Sequence, residues 1–275
     1  MTAFDEGRYL YCVVRADDPD PTFSATGLDD GSVSVVAEGG LGAVVQPCEA
    51  LFDSDSPAEI RRWLLRHQEV VDEAGEAFGT PLPFQFDTIL KGDDARVREW
   101  LREESATLGR HLEELSGRWE YRIEVARDDD EAAAAIAEED EELRELGERL
   151  SEASEGKGFL LEKQYDRRLR GLLRERREEQ TAALAGRLRP HVEELRDLGE
   201  RRSVGLELGD DEERAEPFAR FAALATDEGA DALGDELESI AADPGVEVRF
   251  TGPWPPYTFA PELGGEGDEG DGTGA

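Results

Sequence analysis

Few side chains in this sequence are placed to do covalent or metal chemistry. His67 is the first to weigh, because a histidine can serve as a general base or a metal ligand. It stands in His67-Gln68-Glu69-Val70-Val71-Asp72, with no second histidine four residues on. The spacing that puts two ligands on one helix face is missing, so a packed, hydrogen-bonded core histidine is the expected role. His111 and His191 lie far off, and no third ligand suggests itself. Cys12 and Cys48, the only cysteines, fall in separate apolar stretches and form no Cys-x-x-Cys unit. Buried structural thiols are expected. Gly39-Gly40-Leu41-Gly42 is not followed by the Lys-Ser or Lys-Thr and helix of a phosphate loop, and no Gly-x-Ser-x-Gly elbow occurs. Carboxylates number 67, so no chosen pair means anything. No catalytic residue, cofactor or metal is expected.

Two clusters could instead bind. Arg167, Arg168, Arg170, Arg174, Arg176 and Arg177 form one basic run. They can be a solvated helix face pairing with Asp166, Glu175 and Glu178, or a docking face for an acidic partner, with Arg167, Arg168, Arg170 and Arg174 its core. The second cluster is Thr251-Gly252-Pro253-Trp254-Pro255-Pro256-Tyr257-Thr258-Phe259. Three prolines stiffen it into an extended, low-entropy form, and Trp254, Tyr257 and Phe259 offer large surfaces. Proline cannot donate to a ladder, so the segment should end the last strand. It can fold back as a clamp across two domains, or present a surface to a partner.

Composition excludes other classes. The 275 residues carry 31 basic and 67 acidic side chains, a formal charge of −36. Such a chain is repelled by nucleic acid and by anionic lipid. No apolar run approaches the ~18 residues of a membrane span, and Met1 to Tyr11 lacks the pattern of a secretory signal. The lysines are Lys91, Lys157 and Lys163 alone. The apolar segments are periodic, so the acidity reads as a folded surface tuned to concentrated salt, where the Debye length falls to about 3 Å. A cytoplasmic protein of a salt-accumulating halophile is expected.

The elements that must hold these clusters are marked locally. Arg8 to Arg15 reads as a central strand. Ser32 to Ala37 and Leu41 to Pro47 form a hairpin about Gly39-Gly40. Ser56, Pro57 and Glu59 open a helix with a capping box, carried by Ile60, Trp63, Leu64, His67, Val70, Val71 and Ala74 to Gly79. Pro83 to Leu90 reads as a strand. A helix capped by Asp93 or Asp94 follows, from Val97 to Leu115. Glu120 to Ala126 alternates as a strand.

Beyond it, Ile136, Leu143, Leu146 and Leu150 have coiled-coil-like spacing. Gly156 and Gly158 should break that helix. A second one from Phe159 to Leu198 should be kinked by Pro190. Then come a strand at Ser203 to Leu208, one at Glu216 to Ala225, a helix from Asp227 to Ala242, and a strand from Val246 to Thr251. The second half thus has the βαββαβ order. The expected fold is α+β: two domains with ferredoxin-like character, the second with a long helical hairpin arm. Residues 1–118 form a modified ferredoxin-like domain. Residues 119–260 form a second, with the arm at about 130–198. Residues 261–275 form a disordered acidic, glycine-rich tail.

The terminal Thr-Gly-Pro-Trp-Pro-Pro-Tyr-Thr-Phe resembles the closing motif of the gas vesicle protein GvpF/GvpL family. Tyr9-Leu10-Tyr11-Cys12-Val13-Val14 resembles its opening strand. His67 with Val70 and Val71, then Pro81-Leu82-Pro83-Phe84-Gln85-Phe86-Asp87-Thr88, resembles a helix and strand of its first domain. The family pattern there carries Arg-Phe-Gly-Thr, whereas Gln85 and Asp87 occupy its first and third positions here. The length and acidic arm favour the GvpL type. The resemblance implies a non-enzymatic accessory protein of gas vesicle formation. Its implied partners are the major, hydrophobic shell protein and other accessory gas vesicle proteins. The reading from another class is a ferredoxin-like small-ligand regulatory or enzymatic module, which needs a concave pocket with converging polar groups.

Overall fold

The computed structural model describes residues 3–127, 129–153, 155–199 and 216–261. The expected strand at Ser203 to Leu208 and residues 262–275 of the tail lie outside the described residues. The chain divides into two compact units. The first holds Met1–Glu120 and the chain from Gly252; the second holds the body of the sequence between them.

In the first unit, β1 (Ala3–Arg15) is central. After it come the two-residue β2 (Ala25–Thr26), β3 (Ser32–Glu38) and β4 (Leu41–Ala50). The sheet order is β2-β3-β4-β1, with β1 and β4 antiparallel. Gly39 and Gly40 turn the β3–β4 hairpin with φ of 60° and 82°, a conformation that suits glycine. Leu41 to Gln46 are buried without a break, so both faces of the sheet are covered. Cover comes first from α1 (Pro57–Phe78), whose Trp63, His67, Val70, Val71 and Ala74 join Tyr9, Tyr11 and Val14 in one core. Ser56 caps this helix by its backbone alone. The expected capping box is displaced by two residues: Ser54 Oγ donates to Glu59 at 2.6 Å and accepts from Ser56 N.

The expected strand over Pro83 to Leu90 is interrupted. β5 (Leu82–Pro83) and β6 (Ile89–Lys91) both pair antiparallel with β1, Pro83 opposite Cys12 and Ile89 opposite Tyr9. Six steps along one strand therefore answer three along the other. The surplus bulges out as a turn, with Asp87 at φ 65°. The expected single helix to Leu115 is likewise two, α2 (Asp94–Glu103) and α3 (Ser105–Leu115), broken at Glu104. Asp93 caps α2, its carboxylate accepting from Ala95 N and Arg96 N. Arg8 reaches from β1 to Asp94 at the start of α2, at 2.7 Å.

The second unit is built on β7 (Trp119–Arg127), β8 (Glu194–Asp197), β9 (Pro217–Ala225) and β10 (Val246–Trp254), in the spatial order β10-β7-β9-β8. Between β7 and β8 run α4 (Asp129–Glu139), α5 (Glu141–Ser151) and α6 (Glu155–Leu188); α7 (Asp227–Ala241) links β9 to β10. This is the βαββαβ sequence with its first helix expanded into an arm. α4 and α5 pack against α6, burying Ile136, Leu143 and Leu146.

Several boundaries differ from expectation. α5 ends at Ser151 and α6 begins at Glu155, so Gly156 and Gly158, expected to break the helix, both lie inside α6. α6 ends at Leu188, and Pro190 lies in a 3₁₀ turn, Arg189–His191, rather than in a kinked helix. The chain then forms β8, antiparallel to β9, where a helix to Leu198 was expected. β10 runs on to Trp254 instead of stopping at Thr251. It is an edge strand, and proline is tolerated at an edge.

Candidate functional site

The terminal strip is built on the first unit's core. Pro255, Pro256 and Phe259 are buried. The chain does not stay extended: Tyr257 N donates to Pro255 O at 2.8 Å and Ala260 N to Pro256 O at 2.9 Å. The prolines, lacking donors, serve this turn as acceptors. Tyr257 packs against the core, its ring centroid 6.2 Å from that of His67. Its hydroxyl is enclosed and has no hydrogen-bond partner among the described residues, and burial raises its pKa, which keeps it protonated. Glu120, only 1% exposed, fixes the turn. Its carboxylate accepts from Thr258 N at 2.7 Å and from Thr258 Oγ1 at 2.8 Å. Trp254 differs from its neighbours, for it is 40% exposed. Gly252 and Pro253 are exposed too.

His67 is enclosed at 3% exposure. Its Nε2 lies 3.1 Å from Phe84 O. A carbonyl only accepts, so Nε2 carries the proton. Nδ1 then accepts from the Tyr9 hydroxyl at 2.8 Å. That hydroxyl in turn accepts from Asp87 N at 3.2 Å. Burial lowers the imidazole pKa to about 4, so the ring is neutral near pH 7. Both nitrogens are engaged, and Tyr11 stacks on the ring at 5.3 Å. The residue acts as a node that holds the bulge between β5 and β6 against β1. Next to it, Tyr11 Oη donates to Gln46 Oε1, and Gln46 Nε2 donates to Leu28 O. Cys12 and Cys48 are free thiols, and burial raises the pKa of both, which disfavours the thiolate. Among the described residues, no group of three His, Cys, Asp or Glu side chains is arranged to hold a metal.

The arginine run lies on α6 and divides by direction. Arg168 bridges to the other limb of the arm, 2.8 Å from Asp140 and 3.3 Å from Glu142. Arg176 reaches Glu139 at 3.3 Å. Asp140 also caps α5 by accepting from Leu143 N, and the Arg168 bond with this cap lowers its pKa. Arg170 donates to its own helix at Asp166 O, and Arg174 pairs with Glu178 on the same helix. Arg167 is exposed. A shallow cleft between α6 and the sheet is lined by Arg127, Leu173, Arg176, Arg177, Gln180 and Phe218.

Reading the sequence brought out the strip and the arginine run but missed Glu120. Its position in the alternating stretch Glu120-Tyr121-Arg122-Ile123-Glu124 gave only a weak sign. The hydroxyl of Tyr9 was missed as well.

Comparison with known proteins gives a consistent picture. Residues 7–261 match the family model for gas vesicle synthesis protein GvpL/GvpF. Gas vesicle protein L1 of Halobacterium salinarum is 45% identical over 259 residues, covering 94% of this chain and 92% of that protein. Gas vesicle protein L of Haloferax mediterranei is 41% identical over 290 residues, covering 94% and 89%. The crystal structure of GvpF from Anabaena sp. superposes with a TM-score of 0.71 at 21% identity, covering 94% of this chain and all (100%) of that one. The fold is thus shared where little sequence is. No helix among the described residues is long and apolar enough to cross a membrane.

Proposed function

The chain belongs to the GvpL/GvpF family of gas vesicle synthesis proteins, and from that premise we propose that it is a non-catalytic adaptor of gas vesicle assembly. It binds the hydrophobic shell protein and other accessory gas vesicle proteins before the wall is built, in the cytoplasm and in association with the growing vesicle. The observation that carries this reading is the family match over residues 7–261. The chemistry of the chain supports it. An apolar, sticky subunit needs a soluble, charged binder that keeps it from aggregating, and this chain carries a formal charge of −36. Its most reactive buried groups are spent on structure: His67 on Tyr9 and Phe84, Glu120 on Thr258.

The strip from Gly252 to Phe259 divides between anchorage in its own unit and docking. Pro255, Pro256, Tyr257 and Phe259 anchor it, and Gly252, Pro253 and Trp254 are the part offered to a partner. Arg167, Arg170 and Arg174 offer a second contact, whereas Arg168 braces the arm. The test is deletion of the gene in a vesicle-forming host, combined with affinity purification of the tagged chain. Loss of floating vesicles and recovery of the shell protein with the tag are expected. A deletion strain with normal vesicles overturns the role.

A further inference from the structure

α6 carries nine basic and six acidic side chains, a net charge of +3 in a chain of −36. The excess is not spread round the helix. Phe159, Leu160, Lys163, Arg167, Arg170 and Arg174 follow one another at steps that keep them on one face. From Leu160 to Arg174 the line is about 21 Å long at 1.5 Å per residue; the half-buried Asp166 lies at its edge, and no acidic residue takes one of its positions before Glu178. All six residues are exposed. Phe159 and Leu160 are the most exposed large apolar residues described, at 61% and 65%. The Arg174 side chain is 79% exposed even with its Glu178 contact. Lys163 sits over the Phe159 ring at 5.6 Å. Neither Lys163 nor Arg167 has an ion pair among the described residues. Both stand in a protein with two acids for every base, so the absence of acids along this line is a local property of the sequence. The arm does not need these side chains for its own packing, because Arg168 and Arg176 already tie α6 to α4 and α5.

We propose that this stripe is a docking face for an acidic helical segment of a partner protein, seated with an apolar residue against Phe159 and Leu160 and carboxylates along Lys163, Arg167, Arg170 and Arg174. The alternating three- and four-residue steps are those of a coiled-coil seam, so a helix is the shape that meets every position. The charge selects an acidic partner. The remaining surface, strongly negative, opposes an extended polyanion such as a duplex or a lipid sheet, whereas a short segment touches only the stripe. In concentrated salt, attraction beyond about 3 Å is screened. Docking there rests on contact pairs and on the apolar anchor, and the stripe supplies both. The inference deepens the adaptor reading, but its test uses purified components and stands apart from the deletion phenotype.

The experiment measures fluorescence anisotropy of a labelled synthetic helix of about 21 residues, in molar KCl, against the full chain. The helix carries glutamates at the seam spacing and a leucine pair at one end. A second helix has lysines in place of the glutamates. The acidic helix is expected to bind and the basic one not. Lys163→Gln with Arg167→Gln and Arg170→Gln should weaken binding roughly tenfold or more, and Leu160→Ser alone should weaken it too. Arg187→Gln, which lies off the stripe, should leave it unchanged. Circular dichroism of each variant confirms the fold, and the single Leu160 change provides a second reading if the triple variant does not fold. Equal binding of both helices, or undiminished binding by both variants, overturns the proposal. So does stronger, stripe-dependent binding of phosphatidylglycerol vesicles or duplex DNA, or sedimentation that shows stripe-dependent self-association.

Discussion

Glu120 and Thr258, 138 positions apart, are joined by two hydrogen bonds to one buried carboxylate. The backbone N–H and the side-chain hydroxyl of Thr258 both donate to it, so the C-terminal turn is locked to the end of the first unit's main segment. Thr258→Val keeps the shape and the N–H bond but removes the hydroxyl. The loss should be about 1.5–3 kcal/mol, the range for a hydrogen bond to a charged group. Glu120→Ala should cost more, since both donors lose their acceptor. Thermal melting in molar KCl tests the order. Equal melting of both variants and the parent would show that the turn is held by something else.

Phe259 and Trp254 should separate by role. Phe259 is 8% exposed, and Phe259→Ala should cost about 3–5 kcal/mol as a truncated core aromatic. Trp254→Ala should lower stability by about 1 kcal/mol or less, because so much of the ring already faces solvent, and should weaken co-purification of the shell protein. A large melting shift for Trp254→Ala with intact partner recovery would place its role in the fold instead.

His67 sets a pH dependence whose sign follows from its burial. The folded-state pKa is about 4, below the ordinary 6.5. Above pH 6.5 the ring is neutral both folded and unfolded, and its contribution is constant. Between pH 6.5 and about 4 only the unfolded chain takes up the proton, so stability falls as pH falls. Across that window the loss is about 3 kcal/mol. Melting of the parent and of His67→Gln from pH 7 to 4 should therefore converge as the pH is lowered. Parallel curves would mean that the imidazole is not the group responsible.

Asp87 stands where the resemblance drawn from the sequence implies glycine, and the backbone conformation suits either residue. Its φ is 65°, a region open to glycine and tolerated by aspartate. Its carboxylate also accepts from Phe52 N at 3.1 Å. Asp87→Ala loses the bond and meets the backbone strain, so a cost of about 1–2 kcal/mol is expected. Asp87→Gly gives up the bond but removes the strain, and should lie within about 1 kcal/mol of the parent. Urea titrations in high salt would rank the two.

What could be seen in the sequence was local. The β3–β4 hairpin, the Pro57 start of α1 and the Asp93 cap each depend on neighbours a few residues apart. The bulge at Phe84 to Thr88 was not visible, because it is imposed by the hydroxyl of Tyr9 and the ring of His67, both distant in sequence. β8 was hidden for a related reason. Leu188, Val192 and Leu195 continue a helical spacing, and only pairing with β9 turns Glu194–Asp197 into a strand. Within the candidate site, the prolines and aromatics of the strip stood out by type. Glu120 did not, since one acid among 67 gains meaning only from the residue it meets. The arginine run was visible as composition, but which of its members face outward depends on where α4 and α5 lie.

The first unit draws residues from both sides of the second, and this sets a schedule for synthesis. When residue 120 leaves the ribosome, the seat for Tyr257 and Phe259 is still empty. Another 131 residues must be made before Gly252 appears, roughly ten seconds or more at common translation speeds. The inserted body can mature during that wait. The lobe that begins first is therefore the one that closes last.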